Sequence, residues 1–370
     1  MQNKHFKVAI CATTLLFSLS AFGFQAQIGV DESNLSAKPE AVRAQVLAGV
    51  KQLGATWFRD AFTSKAKGGV ADWVDEVRLA KQQNLKFLET INPVSSDFDA
   101  TTPAENAGPD FSKRCGWSSG SRKLSAINLT KFTTRLRTEF DALKAAGISI
   151  DAFEIGNELD WICFNGDVPD GHTPAQAEFM TAVRAYAQYL KAAATLIHSP
   201  QYFPNAKIIT FGMAHGSDQW DRPAHHFNNP ASMIAQLRNL DGFNYLSNSS
   251  YKVDGYGVHL YPSAESVGNA TETLLRQDIS VLGKTLPLWI TEWGLDVRRF
   301  PNKSGQSRAQ AIAEFYSSLN GSGAIIGPVF FYSYDGPAGG SILASASGEP
   351  LADASAVMRG GLGSSAKRPQ

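Results

Sequence analysis

Residues 129–158 read LTKFTTRLRTEFDALKAAGISIDAFEIGNE, and the order of periods within this stretch decides the fold. Leu129, Phe132, Leu136, Phe140 and Leu143 recur at helical spacing, so they form one apolar face of an amphipathic helix that stops at Gly147. The run Ile148 to Ile155 is short, apolar and rich in β-branched residues, which predicts a buried strand. It leaves on the polar string Gly156-Asn157-Glu158. A helix feeding a buried strand with a polar exit is the unit of a parallel α/β sheet.

The same unit recurs on both sides. Upstream, strands are predicted at Gln25 to Val30, Thr56 to Asp60 and Leu85 to Ile91. Helices lie between them, over Pro39 to Leu53 and around Val70, Trp73, Val74 and Val77. Downstream, strands are predicted at Lys207 to Phe211, Gly255 to Leu260, Pro287 to Thr291 and Ile325 to Phe331. The intervening helices are capped by Thr173-Pro174, span most of Pro230 to Leu246, and carry Leu274, Leu275, Ile279 and Leu282, then Ile312, Phe315 and Leu319. A last short helix is read over Asp353 to Met358, and Asn92 to Ser121 reads as a long loop without period. Eight strands in 370 residues suit a single-domain α/β fold, a (β/α)₈ TIM barrel. An open doubly wound sheet also accommodates eight strands, but no GxGxxG or GxxxxGK[ST] loop follows the first one.

Lys+Arg and Asp+Glu both number 34, so the formal net charge is zero, which argues against nucleic-acid and membrane-surface partners. Residues 1–23 read as a signal peptide: Lys4, His5 and Lys7 precede the apolar run Val8 to Phe22, which is too short for a membrane span. Cleavage is expected after Gly23, with Ala26 as the second choice. The mature catalytic domain is then 24–360, with a Gly/Ser/Lys-rich frayed tail at 361–370. A secreted or periplasmic monomer follows as the expectation. Cys11 leaves with the signal. Cys115 and Cys163 remain, in loops after adjacent strands, and a disulfide is expected between them; two buried free thiols are the alternative.

In a barrel of this kind the working residues sit at the C-terminal strand ends. The polar residues there are Arg59-Asp60, Asn157-Glu158, His215, His259 with Tyr261, Glu292-Trp293, and Tyr332 with Tyr334. The string Phe153-Glu154-Ile155-Gly156-Asn157-Glu158 resembles the strand-four motif of clan-A glycoside hydrolases, in which Asn precedes the acid/base Glu. Trp289-Ile290-Thr291-Glu292-Trp293-Gly294 resembles their strand-seven motif, which carries the nucleophile. Arg59 resembles their strand-two arginine, and His259-Leu260-Tyr261 their strand-six His-x-Tyr. The layout is similar to single-domain bacterial members of families 39 and 5. One departure is visible: many clan members end strand eight on Trp, where Tyr332 or Tyr334 stands here.

The resemblance implies a retaining enzyme that cleaves β-glycosidic bonds of an oligo- or polysaccharide. Glu158 would be the acid/base and Glu292 the nucleophile. Arg59 and Tyr261 would keep Glu292 ionised, and burial with the Glu292 charge would keep Glu158 protonated. Asn157 would bind the sugar 2-hydroxyl, His259 would bond Glu158 or a sugar hydroxyl, and Trp161 and Trp293 would stack on sugar rings, with His215 and Tyr334 as further substrate-binding candidates. Two carboxylates complete this chemistry, so neither cofactor nor metal is expected. His225-His226 lacks a third ligand at metal spacing and reads as loop. His215 reads equally as a solvated loop residue, Arg59 as a partner of Asp60, and Trp57 and Trp289 as packing. Two other functions share the residues: a sugar-binding barrel without turnover, and a transglycosylase.

Overall fold

A computed structural model of the chain describes residues 27–62, 67–105, 107–116, 118–169, 175–215, 230–262, 266–294 and 307–334, with Leu343, Pro350 and Met358. The signal segment, the 361–370 tail, the Thr173-Pro174 cap, His225-His226 and most of the Asp353–Met358 reading lie outside the described residues.

The strands close into a parallel barrel in chain order, β1 to β8, with β1 pairing β8. They are β1 Ile28–Asp31, β2 Trp57–Asp60, β3 Lys86–Ile91, β4 Ala152–Asn157, β5 Lys207–His215, β6 Tyr256–Leu260, β7 Leu288–Trp293 and β8 Ile326–Tyr332. The helices are α1 Glu40–Gln52, α2 Val70–Gln82, α3 Pro109–Cys115, α4 Leu129–Ala145, α5 Gln176–Ile197, α6 Pro230–Gln236, α7 Val267–Leu282 and α8 Arg308–Gly321. Closure excludes the open sheet that the strand count alone allowed.

Strand side chains alternate between two faces. One set fills the barrel floor: Trp57, Leu88, Ala152, Ile209, Trp289 and Phe330 form an apolar cluster of their own. The Trp57 and Trp289 rings meet edge-on at 5.4 Å. Two residues further along β2, β3 and β4, the same face carries Arg59, Thr90 and Glu154, so a dry plug supports a polar layer. The other set, with Phe58, Phe87, Phe153, Phe211, Leu260, Trp293 and Phe331, packs outward under the helices in the main core.

Several sequence readings shift in detail. β4 starts at Ala152, because the Asp151 carboxylate is engaged with Lys81 and the Phe87 amide before the strand begins. β5 runs on to His215. The helix read over Pro230 to Leu246 ends at Gln236, passes through a 3₁₀ turn at Leu237–Asn239, and gives way to a turn where Gly242 has φ 71°. The loop after β3 is built: it holds the 3₁₀ turn Ser95–Asp97, α3, and an antiparallel bridge between Glu105 and Ser121. Cys115 at the end of α3 is disulfide-bonded to Cys163 in the loop after β4, with Cα atoms 5.5 Å apart. The bond ties the wall above β3 to the segment that begins at Glu158.

Candidate active site

Two local irregularities aim the glutamates into the barrel mouth. At β4, regular alternation would turn Asn157 and Glu158 to opposite faces. Gly156 instead adopts φ 101° and Glu158 φ 45°, and both Asn157 and Glu158 reach the mouth. A Cβ at Gly156 would also collide with Leu159. A non-glycine residue at positive φ is uncommon, and such strain is characteristic of functional sites. At β7 the register against β6 slips by one residue: Val258 pairs with Ile290, but His259 pairs with Glu292. The extra residue, Thr291, lets Glu292 face inward and sends Trp293 outward.

Glu292 accepts from Arg59 Nη1 at 2.8 Å on Oε1 and from the Tyr261 hydroxyl on Oε2. Its carboxyl is buried, which alone would raise its pKa. The His259 and Arg59 charges and the bonds from Tyr261 and Arg59 outweigh burial and hold it below the ordinary glutamate value. Glu158 shares Oε1 with His259 Nδ1 at 3.0 Å. Burial pushes the Glu158 pKa up; the His259 bond and charge oppose this, and the Glu292 and Asp160 charges add to it. One oxygen of each glutamate and a ring nitrogen of His259 all lie within 4.8 Å of one another. A trio of that size has the reach of a divalent-cation site, but its polar atoms already bond among themselves and to Arg59 and Tyr261.

Arg59 is the hub. Its Nε and Nη2 donate to Glu154 Oε2 at 2.9 and 2.6 Å, Nη1 to Asp31 Oδ2 at 2.6 Å and to Glu292, and Nη2 to Asn157 Oδ1 at 3.0 Å. All five guanidinium hydrogens are therefore engaged. Because Arg59 holds the Asn157 carbonyl oxygen, the Asn157 amide nitrogen is the end free to donate elsewhere. For His259, burial would lower the pKa; the charges of Glu292 and Glu158 and the bond to Glu158 raise it beyond the ordinary value against opposition from Arg59. Burial and the two glutamate charges push the Tyr261 phenol well up, which leaves it a neutral donor.

Six of the residues read from strand ends thus come together: Arg59, Asn157, Glu158, His259, Tyr261 and Glu292. Trp161 lies one turn past Glu158, its amide on the Glu158 carbonyl at 2.8 Å and its half-buried ring 5.7 Å from that of Phe164. Tyr332 meets the Tyr261 ring edge-on at 6.3 Å.

Three expected site residues do not join them. Trp293 is fully buried and stacks on Phe315 of α8 at 4.2 Å, so it offers no face to a sugar. His215 is paired in register with outward-facing Leu260, and its Nε2 meets both oxygens of Asp278 on α7 at 3.0 Å. Tyr334 is fully buried, and its hydroxyl occupies the space a Cβ on Gly49 of α1 would need. The reading from sequence in turn passed over Asp31 and Glu154, both buried against Arg59. A signal existed for Glu154: a glutamate inside an apolar strand, on the inward face and four residues before Glu158.

No family model matches the chain, and no curated protein matches it in sequence. Its fold does have counterparts among solved structures. One is a fungal β-1,4-galactanase, at TM-score 0.59 and 16% identity over 91% of this chain and 100% of that one. Another is the hyperthermostable endo-1,4-β-D-mannanase of Thermotoga petrophila RKU-1, at 0.53 and 13% over 83% and 88%. A third is a GH5 xyloglucanase of Bacteroides ovatus, at 0.53 and 12% over 91% and 74%. At such identities the likeness is one of fold, the closed (β/α)₈ barrel.

Proposed function

We propose that this protein is a retaining glycoside hydrolase that cleaves β-glycosidic bonds of an oligo- or polysaccharide, with Glu292 as nucleophile and Glu158 as acid/base. The observation that carries the reading is the glutamate pair: carboxylate oxygens within 4.8 Å, in surroundings that drive their pKa values apart. Retaining glycosidases use carboxyls about 5–5.5 Å apart, and inverting ones about 6.5–9.5 Å, to leave room for water.

The reaction in this reading runs in two steps. Glu292, ionised, attacks the anomeric carbon while Glu158 gives its proton to the leaving oxygen, and the carbon–oxygen bond to the leaving group breaks. This leaves a glycosyl ester on Glu292 and an ionised Glu158. Glu158 then takes a proton from water, whose oxygen attacks the same carbon and releases Glu292. Arg59 and Tyr261 receive the negative charge that returns to Glu292. The free Asn157 amide donates to the sugar 2-hydroxyl, a bond that strengthens as positive charge develops at the ring. Trp161 and Tyr332 offer rings at the rim for stacking on sugar.

We place the enzyme outside the cytoplasm, on the disulfide and on the signal read in residues 1–23. The neighbours named for mannanase, galactanase and xyloglucanase activity put neutral β-linked polysaccharides first in a substrate panel. The test is release of reducing sugar from that panel by the wild type and by Glu292→Gln. Turnover that the variant loses supports the reading; binding of a glycan without release of sugar by the wild type contradicts it.

A further inference from the structure

Behind the two glutamates lies a third that no step above uses. Glu154 is fully buried on β4, with its side chain inside the barrel. Its Oε2 accepts three hydrogen bonds: two from Arg59 and one from Thr90 Oγ1 at 3.0 Å. Among the described residues its Oε1 has no hydrogen-bond partner, and it lies 3.9 Å from His259 Nε2. Two glycines make room for this arrangement. A Cβ on Gly257 would sit 2.7 Å from Glu154 Oε1, and one on Gly212 would overlap the His259 ring.

The problem Glu154 addresses is electrostatic. Arg59 Nη2 and His259 Nε2 approach to 3.5 Å, while the far ends of the same two groups serve Glu292 and Glu158. A protonated His259 therefore faces a guanidinium almost at contact, with both groups buried from bulk solvent, where like charges disfavour the second proton strongly. The carboxylate that touches Arg59 and faces the back of His259 is Glu154. The other groups around it are Asp31 on β1, Thr90 on β3, Glu292 on β7 and, from outside the barrel, Tyr186 on α5. Among these, Asp31 and Glu292 bond the opposite end of Arg59, and Thr90 and Tyr186 are neutral hydroxyls.

We propose that Glu154 is a positioning residue: a buried counter-charge that anchors Arg59 and lets His259 keep its proton beside it, and so sets the pH at which the acid/base glutamate stops working. The proposal rests on the glycosidase reading for its consequence in turnover, but its charge argument is measurable without substrate. Glu154→Gln keeps the size and an acceptor for Arg59 and removes the charge. In an NMR pH titration of the histidine rings, with the His259 signal assigned by its loss in His259→Gln, wild-type His259 should hold its proton above the ordinary histidine range. In Glu154→Gln the midpoint should fall by about one pH unit or more. The alkaline limb of kcat, set by loss of the Glu158 proton, should move to higher pH, because a neutral His259 no longer opposes the raised Glu158 pKa. KM should change by less than about threefold, because Glu154 lies behind the groups that meet substrate. Loss of packing alone would lower activity at every pH and leave the limb in place. A His259 midpoint that is the same in both proteins overturns the proposal. So does a wild-type His259 that is neutral at pH 6, a result that needs no folded variant. Failure of the wild type to hydrolyse any glycan would contradict the proposed function and leave the ring titration to decide the role of Glu154.

Discussion

Glu292 shows most plainly how single residues set the chemistry. A carboxyl this buried would ordinarily be protonated near neutrality, and it is held ionised only because cations and donors converge on it. Tyr261→Phe removes one of those donors without changing shape. The Glu292 pKa should rise, so the acid limb of kcat/KM moves to higher pH, and kcat at the optimum should drop by about 10²-fold, the usual cost of losing one preorganised donor. A pH–rate profile with an unmoved acid limb would contradict the role given to that hydroxyl. The residues that form this centre were legible in the sequence because barrel chemistry collects at strand ends, and Arg59, Asn157-Glu158, His259, Tyr261 and Glu292 all stand there. Trp293, His215 and Tyr334 stand near strand ends too, and proximity in sequence misplaced them. Trp293 follows an inward residue and so points outward, and His215 shares the outward register of Leu260. Glu154 escaped for the opposite reason: it belongs to the strand itself, where a polar residue reads as an interruption of an apolar run, while Asp31 closes β1 one residue past the predicted end at Val30.

Between α2 and the end of β2 the packing of elements creates a second acidic centre. Asp60 closes β2 and accepts from the amides of Asn34, Leu35 and Ala61, at 2.9, 2.7 and 2.7 Å. Glu76 on α2 is fully buried against it, and Glu89 on β3 is buried nearby, bonded to the Phe62 amide and the Trp73 indole. Burial raises all three carboxyls, Asp60 to about 7 despite its three amide bonds. The sign follows from proton counting. The folded chain holds protons that the unfolded chain releases above about pH 4, so this centre loses stability as pH rises from there, and for Asp60 the loss is complete above about 7. Glu76→Gln places an amide donor against Asp60 and removes one titrating group. Its Tm should exceed that of the wild type at pH 8–9 and lose that advantage at pH 5, as read by calorimetry; a constant difference across that range would refute the raised Glu76 pKa. The helix α2 and the strand β2 were readable from their apolar residues. The meeting of their carboxyls was not, because it depends on which helix face lies over which strand.

Across the whole molecule, a long wall over β3 is pinned to the loop after β4 by one covalent bond. Cys115 and Cys163 are 48 residues apart, and closing a loop of that length restricts the unfolded chain by about 4 kcal/mol in the chain-entropy model. The double variant Cys115→Ala/Cys163→Ala should therefore lose about 2–4 kcal/mol in urea unfolding. The denatured wild type should show no reactive thiol from this pair without reductant. Two such thiols would mean that the bond does not form. The eight-strand alternation, the disulfide and the strand-end constellation were all visible in the chain, since each rests on local period or on spacing between neighbouring strands. The build of the wall was not. Its 3₁₀ turn, α3 and the Glu105–Ser121 bridge carry too little periodicity to announce themselves, although Gly108-Pro109-Asp110 is a helix start in miniature.

The whole barrel exists, in this account, to hold two carboxyls in different protonation states across one bond, and azide separates them. Glu158→Ala, given an aryl β-glycoside with a good leaving group, should still form the glycosyl-enzyme on Glu292, stall there, and be accelerated by azide to a glycosyl azide of retained configuration. Glu292→Ala should lose activity by several orders of magnitude, and azide should take the nucleophile's place and give the inverted azide. NMR of the two products reads the anomeric configuration directly. Retention with Glu158→Ala and inversion with Glu292→Ala is the predicted result; the reverse pair of outcomes, or full activity in both variants, would contradict the assignment of the site.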